Sequence, residues 1–158
     1  MEINDLIKRS SDSRKSQQGA IFSSLFIIGN KLQTIFDNHI AELSLKQYML
    51  LSLMAQSKES MTFTQLGNLL GCSRQNIKKI ASVLEKKGFV SIEQNPNDSR
   101  ASCLCLRTKA EKYLSNDFMK YREELNFLFE EYSDEEVNAL FVLLMRLYSG
   151  IENLENNI

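Results

Sequence analysis

One stretch constrains this chain more than any other, the run TFTQLGNLLG, CSRQNIKKIASVLEKKG and FVSIEQNPNDSRASCLCLRT over residues 62–108. It reads as a helix, a tight turn, a longer basic helix and two strands joined by a polar loop. Thr62 followed by Gln65 is a capping box, which satisfies orphan amides at a helix start, and Leu66, Leu69 and Leu70 give that helix an apolar face. Gly71 ends it, because glycine enters the left-handed conformation without steric cost, and Ser73 caps the next helix. So short a turn makes the two helices cross steeply.

In the second helix Ile77, Ile80, Ala81 and Leu84 recur at helical spacing and are expected to face a core. The other face carries Ser73, Arg74, Gln75, Asn76, Lys78, Lys79 and Ser82, with no acid from Ser73 to Leu84. Arginine, glutamine and asparagine can each engage a base edge through two atoms, and lysine suits phosphate. An ordinary solvated face is the competing account, and the turn in front of this helix favours a nucleic-acid contact.

Gly88 closes the second helix. Val90 and Ile92, then Leu104 and Leu106, alternate with polar residues or cysteines at the period of two expected of strands. The segment Gln94–Arg100 between them contains the only proline of the chain and reads as a hairpin turn. Arg100 at its tip is suited to a narrow minor groove. Asn97 joins it as a candidate contact, and Asp98 is expected to orient Arg100 or a nearby lysine. The expected fold is mainly α with a small β-hairpin wing, a winged helix-turn-helix carrying long flanking helices.

The formal net charge of −1 conceals an asymmetry. Residues 1–57 carry a net +1, residues 58–109 a net +5 and residues 110–158 a net −7. A positive middle beside a negative tail suits a molecule that presents one face to phosphate. No uninterrupted apolar run approaches the roughly 18 residues of a membrane span, and the N-terminal residues lack a signal-peptide pattern. Three cysteines without framework spacing suit a reducing cytoplasm. A single histidine, His39, makes a structural zinc site an unpromising reading. With no phosphate-binding glycine loop and no nucleophile–histidine pair, catalysis is the weakest reading, and no cofactor is expected.

Capping boxes also stand at Ser44–Gln47, Thr108–Glu111 and Ser133–Glu136. They announce a short helix near 45–56 and two long C-terminal helices, and a first helix is expected over about 16–39. Ile21, Leu25, Ile28, Leu32 and Ile35, then Leu114, Phe118, Tyr121, Leu125 and Leu128, then Val137, Leu140, Leu144, Leu147, Ile151 and Leu154 keep a four–three spacing. That spacing favours long, near-parallel packing. These helices exceed what a small winged helix can cover, so a homodimer is expected, with 1–40 and 109–158 as dimerisation helices around a DNA-binding lobe at 41–108. Two copies would also read two half-sites of one duplex.

With these elements placed, the chain resembles the MarR family of transcriptional regulators over nearly its whole length. The most specific match is LGCSRQNIKKIASVLEKKGFVSIEQNPNDSRASCLCLRTKAE, where Arg107 between Leu106 and Thr108 departs from the family's wing exit by one residue. The resemblance implies a homodimeric regulator, usually a repressor, on a pseudo-palindromic double-stranded DNA operator, released by a small-molecule effector. It also implies base contacts from Ser73–Lys79, minor-groove contact from Arg100 and a wing conformation dependent on Asp98. Two alternatives stand beside it: a winged-helix module that docks a protein, and a thiol-based redox regulator using Cys72, whose place at a helix N-terminus beside Arg74 favours a thiolate. Cys103 and Cys105 read as packing residues, too close along one strand to pair. His39 and the methionines Met49, Met54 and Met61 are compatible with an effector pocket or with plain packing, and no effector-binding residues are assigned.

Overall fold

The computed structural model describes residues 5, 12–39, 42–57, 60–95 and 98–158, apart from the side chains of 98–99 and 117–122. The elements are α1 (Arg14–His39), α2 (Leu45–Gln56), β1 (Met61–Thr62), α3 (Phe63–Leu70), α4 (Arg74–Lys86), β2 (Val90–Asn95), β3 (Asp98–Leu106), α5 (Thr108–Leu128) and α6 (Asp134–Glu155). The chain packs as two units, Met1–Glu111 and Lys112–Ile158.

In the first unit, α2, α3 and α4 pack with a three-stranded antiparallel sheet of order β1-β3-β2. The capping boxes of α2 and α3 have both arms in place: Ser44 and Thr62 accept the Gln47 and Gln65 amides, and each glutamine carboxamide accepts the cap residue's own N–H. Leu50, Leu51, Leu66, Ile77, Ala81, Leu84, Phe89, Val90 and Leu104 are fully buried at the centre of this unit. Burying each of the larger ones contributes roughly 1.5–3 kcal/mol relative to exposure.

The sheet carries the wing. β2 and β3 pair from Val90 opposite Leu106 to Gln94 opposite Ser102, and the register then shifts so that Asn95 faces Asp98. The strands thus extend into the segment expected to be a turn, and Arg100 lies in β3 rather than in a loop. β1 was not expected from the sequence. Two residues long, it pairs Met61 with Leu104 and Thr62 with Cys103, giving the hairpin a third strand.

Two expectations about helix faces are corrected. Leu69 is 57% exposed, because Phe63 and Leu66 occupy the buried side of α3 instead. Ile80 is only half-buried, at the margin of the stripe formed by Ile77, Ala81 and Leu84. The expected box at Thr108 is also displaced. Thr108 is already helical, and the Arg107 carbonyl one residue earlier accepts the amides of Ala110 and Glu111.

Helix α6 begins with the third complete capping box, Ser133 with Glu136. Neither α1 nor α6 buries a single residue within one copy. Phe22 and Phe26 of α1 are 63% and 62% exposed, and Tyr148 of α6 is 63% exposed. An 18-residue window of α1 has a mean hydropathy of 1.2, enough by length and composition for a membrane span. Serine, asparagine, glutamine and threonine nevertheless interrupt every apolar run in that helix.

Candidate nucleic-acid interface

The turn between α3 and α4 is built on close backbone approach. Gly71 adopts φ 63°, and the bonds Cys72 N–H to Gly67 O at 2.9 Å and Gly71 N–H to Asn68 O at 3.4 Å close the end of α3. A Cβ on Gly67 would lie 2.6 Å from the Cys72 carbonyl oxygen, so only glycine lets the turn fold back so tightly. Ser73 then caps α4, its Oγ accepting the Asn76 amide at 3.2 Å.

The C-terminal end of α4 is equally well closed. Gly88 at φ 79° donates to the Glu85 carbonyl, and Phe89 N–H reaches back to the Leu84 carbonyl, both at 2.9 Å. This pair of bonds with apolar residues at its ends is a Schellman motif, and Phe89 and Leu84 are both fully buried. Between its two closures α4 turns Ile77, Ala81 and Leu84 inward. Ser73, Arg74, Gln75, Lys78 and Lys79 are exposed, and Asn76 and Ser82 half-exposed. The first turn contains no acid, so all these side chains lie on a helix whose outer surface is cationic.

Arg100 is exposed on β3, two residues from the end of that strand. Asp98 begins the strand, but its side chain, like the whole of Asn97, lies outside the described residues. The sole acid of α4, Glu85, is half-buried and accepts the Ile92 amide of β2 at 2.9 Å. Sequence reasoning missed this link between helix and wing, because a glutamate followed by two lysines reads as solvated surface.

The cysteines are all unpaired thiols. Cys72 is half-buried in the turn, and Cys103 is buried. Burial first, and then the neighbouring Glu93 carboxylate, push the Cys105 thiol up to about 11. His39 is exposed in the last turn of α1. Met54 is a core residue, Met49 is exposed, and Met61 lies on β1. Met61 and Leu69 line, with Ser57, Ser60, Gln65 and Asn68, a shallow depression of about 400 Å³. Among the described residues no cluster of three or more histidine, cysteine, aspartate or glutamate side chains could hold a metal ion.

A tripartite helix-turn-helix, a buried closing residue after its second helix and a paired hairpin define a winged helix-turn-helix. Residues 43–102 match the model of the MarR family. The chain is 32% identical over 81 residues to the uncharacterized HTH-type transcriptional regulator YcgE of Bacillus subtilis, covering 51% of this chain and 53% of that protein. It is 29% identical over 108 residues to the transcriptional repressor MprA of Escherichia coli, covering 68% of this chain and 61% of that one. The matched segments thus span a little over half of these curated relatives. A crystal structure of Staphylococcus aureus MepR in complex with DNA superposes with a TM-score of 0.72 at 19% identity, over 82% of this chain and 97% of that one. The match to the MarR family lies over residues 43–102, the winged helix-turn-helix.

Proposed function

We propose that this protein is a homodimeric, sequence-specific DNA-binding transcriptional regulator, a repressor released from its operator by a small-molecule effector, working in the cytoplasm and without catalysis. One observation carries the reading: α4, closed at both ends, holds Arg74, Gln75, Lys78 and Lys79 outward on an acid-free surface. In this reading Arg74, Gln75 and Asn76 face base edges, while Ser73, Lys78, Lys79 and Ser82 face the backbone. Arg100, with Asn97 and Asp98, belongs to the wing contact. MprA, a sequence relative, is named for repression, and MepR, a structural neighbour, is described in complex with DNA, which supports the assignment.

Two copies are part of the proposal. Residues 1–40 and 109–158 supply the dimerisation helices, and 41–108 the reading lobe. The support is the apolar surface that α1 and α6 leave exposed in one copy, since exposed apolar patches mark interaction sites. Two lobes related by a two-fold axis meet half-sites about one helical turn apart, roughly 10 base pairs.

Selection of bound sequences from random duplex DNA at fixed salt tests all of this together. Enrichment of an inverted repeat, with affinity falling steeply as salt rises, is the expected result. Failure to enrich any duplex, with a protein partner recovered instead, would favour the protein-docking alternative.

A further inference from the structure

The winged-helix unit contains a polar cluster that joins three places far apart in sequence. Lys109, in the first turn of α5, donates from Nζ to Glu42 Oε1 at 2.6 Å and to the backbone carbonyl of Lys87 at 3.1 Å. The same ammonium stands 4.1 Å from the centroid of the Phe89 ring. Lys87, at the C-cap of α4, sends its own ammonium to the Glu42 carbonyl and to Gln47 Oε1, the latter at 3.4 Å. Five residues before Glu42, the Asp37 carboxylate of α1 accepts the Leu45 amide that opens α2, at 2.6 Å.

The partners identify what is being held. Asp37 at the end of α1 and residues 42–47 at the start of α2 flank the entry to the lobe, residues 107–109 take the chain out into α5, and residues 87–89 are where α4 gives way to the wing. The Lys87 carbonyl is one of the orphan acceptors at a helix C-terminus, and a cation there is favoured by the helix dipole. Phe89 offers the ring face that an ammonium seeks. The pair Lys109–Glu42 is nearly half exposed at both ends, 47% and 46%, so it adds little to global stability. Its geometry is nonetheless specific, since one ammonium engages a carboxylate, a helix-terminal carbonyl and an aromatic ring.

We infer that Lys109 is a positioning residue for DNA reading: with Glu42 and Lys87 it clasps the exit of α4 to the points where the chain enters and leaves the winged-helix lobe. This rests on the DNA-binding reading above. In the proposed dimer, each reading helix is connected to its counterpart only through those entry and exit points. The clasp therefore governs how sharply the pair discriminates half-site spacing, while Lys109 itself touches no DNA.

The experiment uses the full chain and duplexes carrying the selected operator, with the half-sites at natural spacing or separated by one or two added base pairs. Wild type, K109M, K109R and E42Q are each titrated over a range of salt, and their melting temperatures are recorded. K109M and E42Q are expected to lose about fivefold in affinity at natural spacing, the scale of a half-exposed ion pair. They are also expected to discriminate less against the lengthened duplexes and to keep the wild-type salt slope. K109R, which can still pair with Glu42 and cover Phe89, restores both the affinity and the spacing discrimination, and E42Q combined with K109M costs no more than either alone. Unchanged affinity and unchanged spacing discrimination in K109M would overturn the inference, as would a salt slope reduced by about one, the mark of a phosphate contact. A wild type that binds no duplex removes the DNA-binding reading and the clasp with it, and that outcome is seen before any variant is compared.

Discussion

Replacing Gly67 by alanine separates intrinsic helix preference from the geometry of the turn. Gly67 lies inside α3, where alanine would ordinarily stabilise a helix by about 1 kcal/mol. Here the added methyl would meet the Cys72 carbonyl oxygen at 2.6 Å, well inside van der Waals contact. The obstacle is backbone, and the turn cannot retreat cheaply, because Cys72 N–H is bonded to the Gly67 carbonyl itself. Overpacking typically costs about 1–3 kcal/mol. With a rigid obstacle the upper end applies, leaving a net loss of about 2 kcal/mol after the helix gain is subtracted. For a chain of this size that corresponds to a fall in melting temperature of about 4–8 °C, measured at fixed protomer concentration because a dimer's stability depends on it. Gly19→Ala in α1, where nothing lies within 4 Å of the added carbon, serves as the control and should not lower the melting temperature. Operator affinity of Gly67→Ala well below its transition should also fall, since the crossing of α3 and α4 aims the reading helix. A Gly67→Ala protein as stable as wild type would refute the argument that this contact dictates glycine.

Arg74→Ala is expected to cost about 1–3 kcal/mol on the selected operator and to relax preference at one base position. Lys78→Ala should instead weaken all duplexes alike and lower the salt slope by about one; competition titrations with mutated operators distinguish the two. Phe26→Glu places a charge on the exposed apolar surface of α1 and is expected to shift the protein toward monomer in sedimentation equilibrium, an unchanged dimer arguing against α1 as the interface. Cys105 is held up to about 11 by burial and then by Glu93, above the ordinary thiol value of about 8.5. Folding therefore favours its neutral thiol, a contribution that is complete below the unfolded value and lost as pH rises from about 9 towards 11. Alkylation of Cys105 should stay slow at pH 8 and accelerate only above pH 10, and Glu93→Gln should shift that onset to lower pH.

Most elements were legible from the sequence because their ends are chemically marked. Ser44, Thr62 and Ser133 each stand three residues before a glutamine or glutamate, and each pair forms both arms of its box. Gly71 and Gly88 were read as helix ends and hold the left-handed conformations that ending requires. The α4 surface was legible because four apolar positions and a run without acids define opposite faces. What escaped was tertiary. β1 is too short to show a period, and exists because Leu104 and Cys103 of β3 present a free edge to Met61 and Thr62. Leu69 and Ile80 follow helical spacing, yet the buried side of α3 is formed by Phe63, Leu66 and Gly67, and Ile80 falls at the margin of the stripe of Ile77, Ala81 and Leu84. The Thr108 box failed because the Arg107 carbonyl begins the helix one residue earlier. The clasp of Glu42, Lys87 and Lys109 spans 67 positions, and pairings at that distance leave no local trace.

In the proposed DNA-binding reading, helix and wing form one surface through the placement of acids rather than through net charge. Glu85 sits in the last turn of α4, where a carboxylate is opposed by the helix dipole and would dilute the cationic face if it pointed outward. Instead it accepts the Ile92 amide of β2, which binds the wing to the helix and occupies the half-buried carboxylate. Ile92 pairs in turn with Leu104 of the central strand, the residue that also receives Met61 of β1. The chain of contacts from α4 through β2 and β3 to β1 therefore runs along hydrogen bonds and a fully buried leucine. In the proposed DNA-binding reading, a change in the aim of α4 is expected to carry the wing with it, so that Arg74 and Arg100 would approach a duplex together.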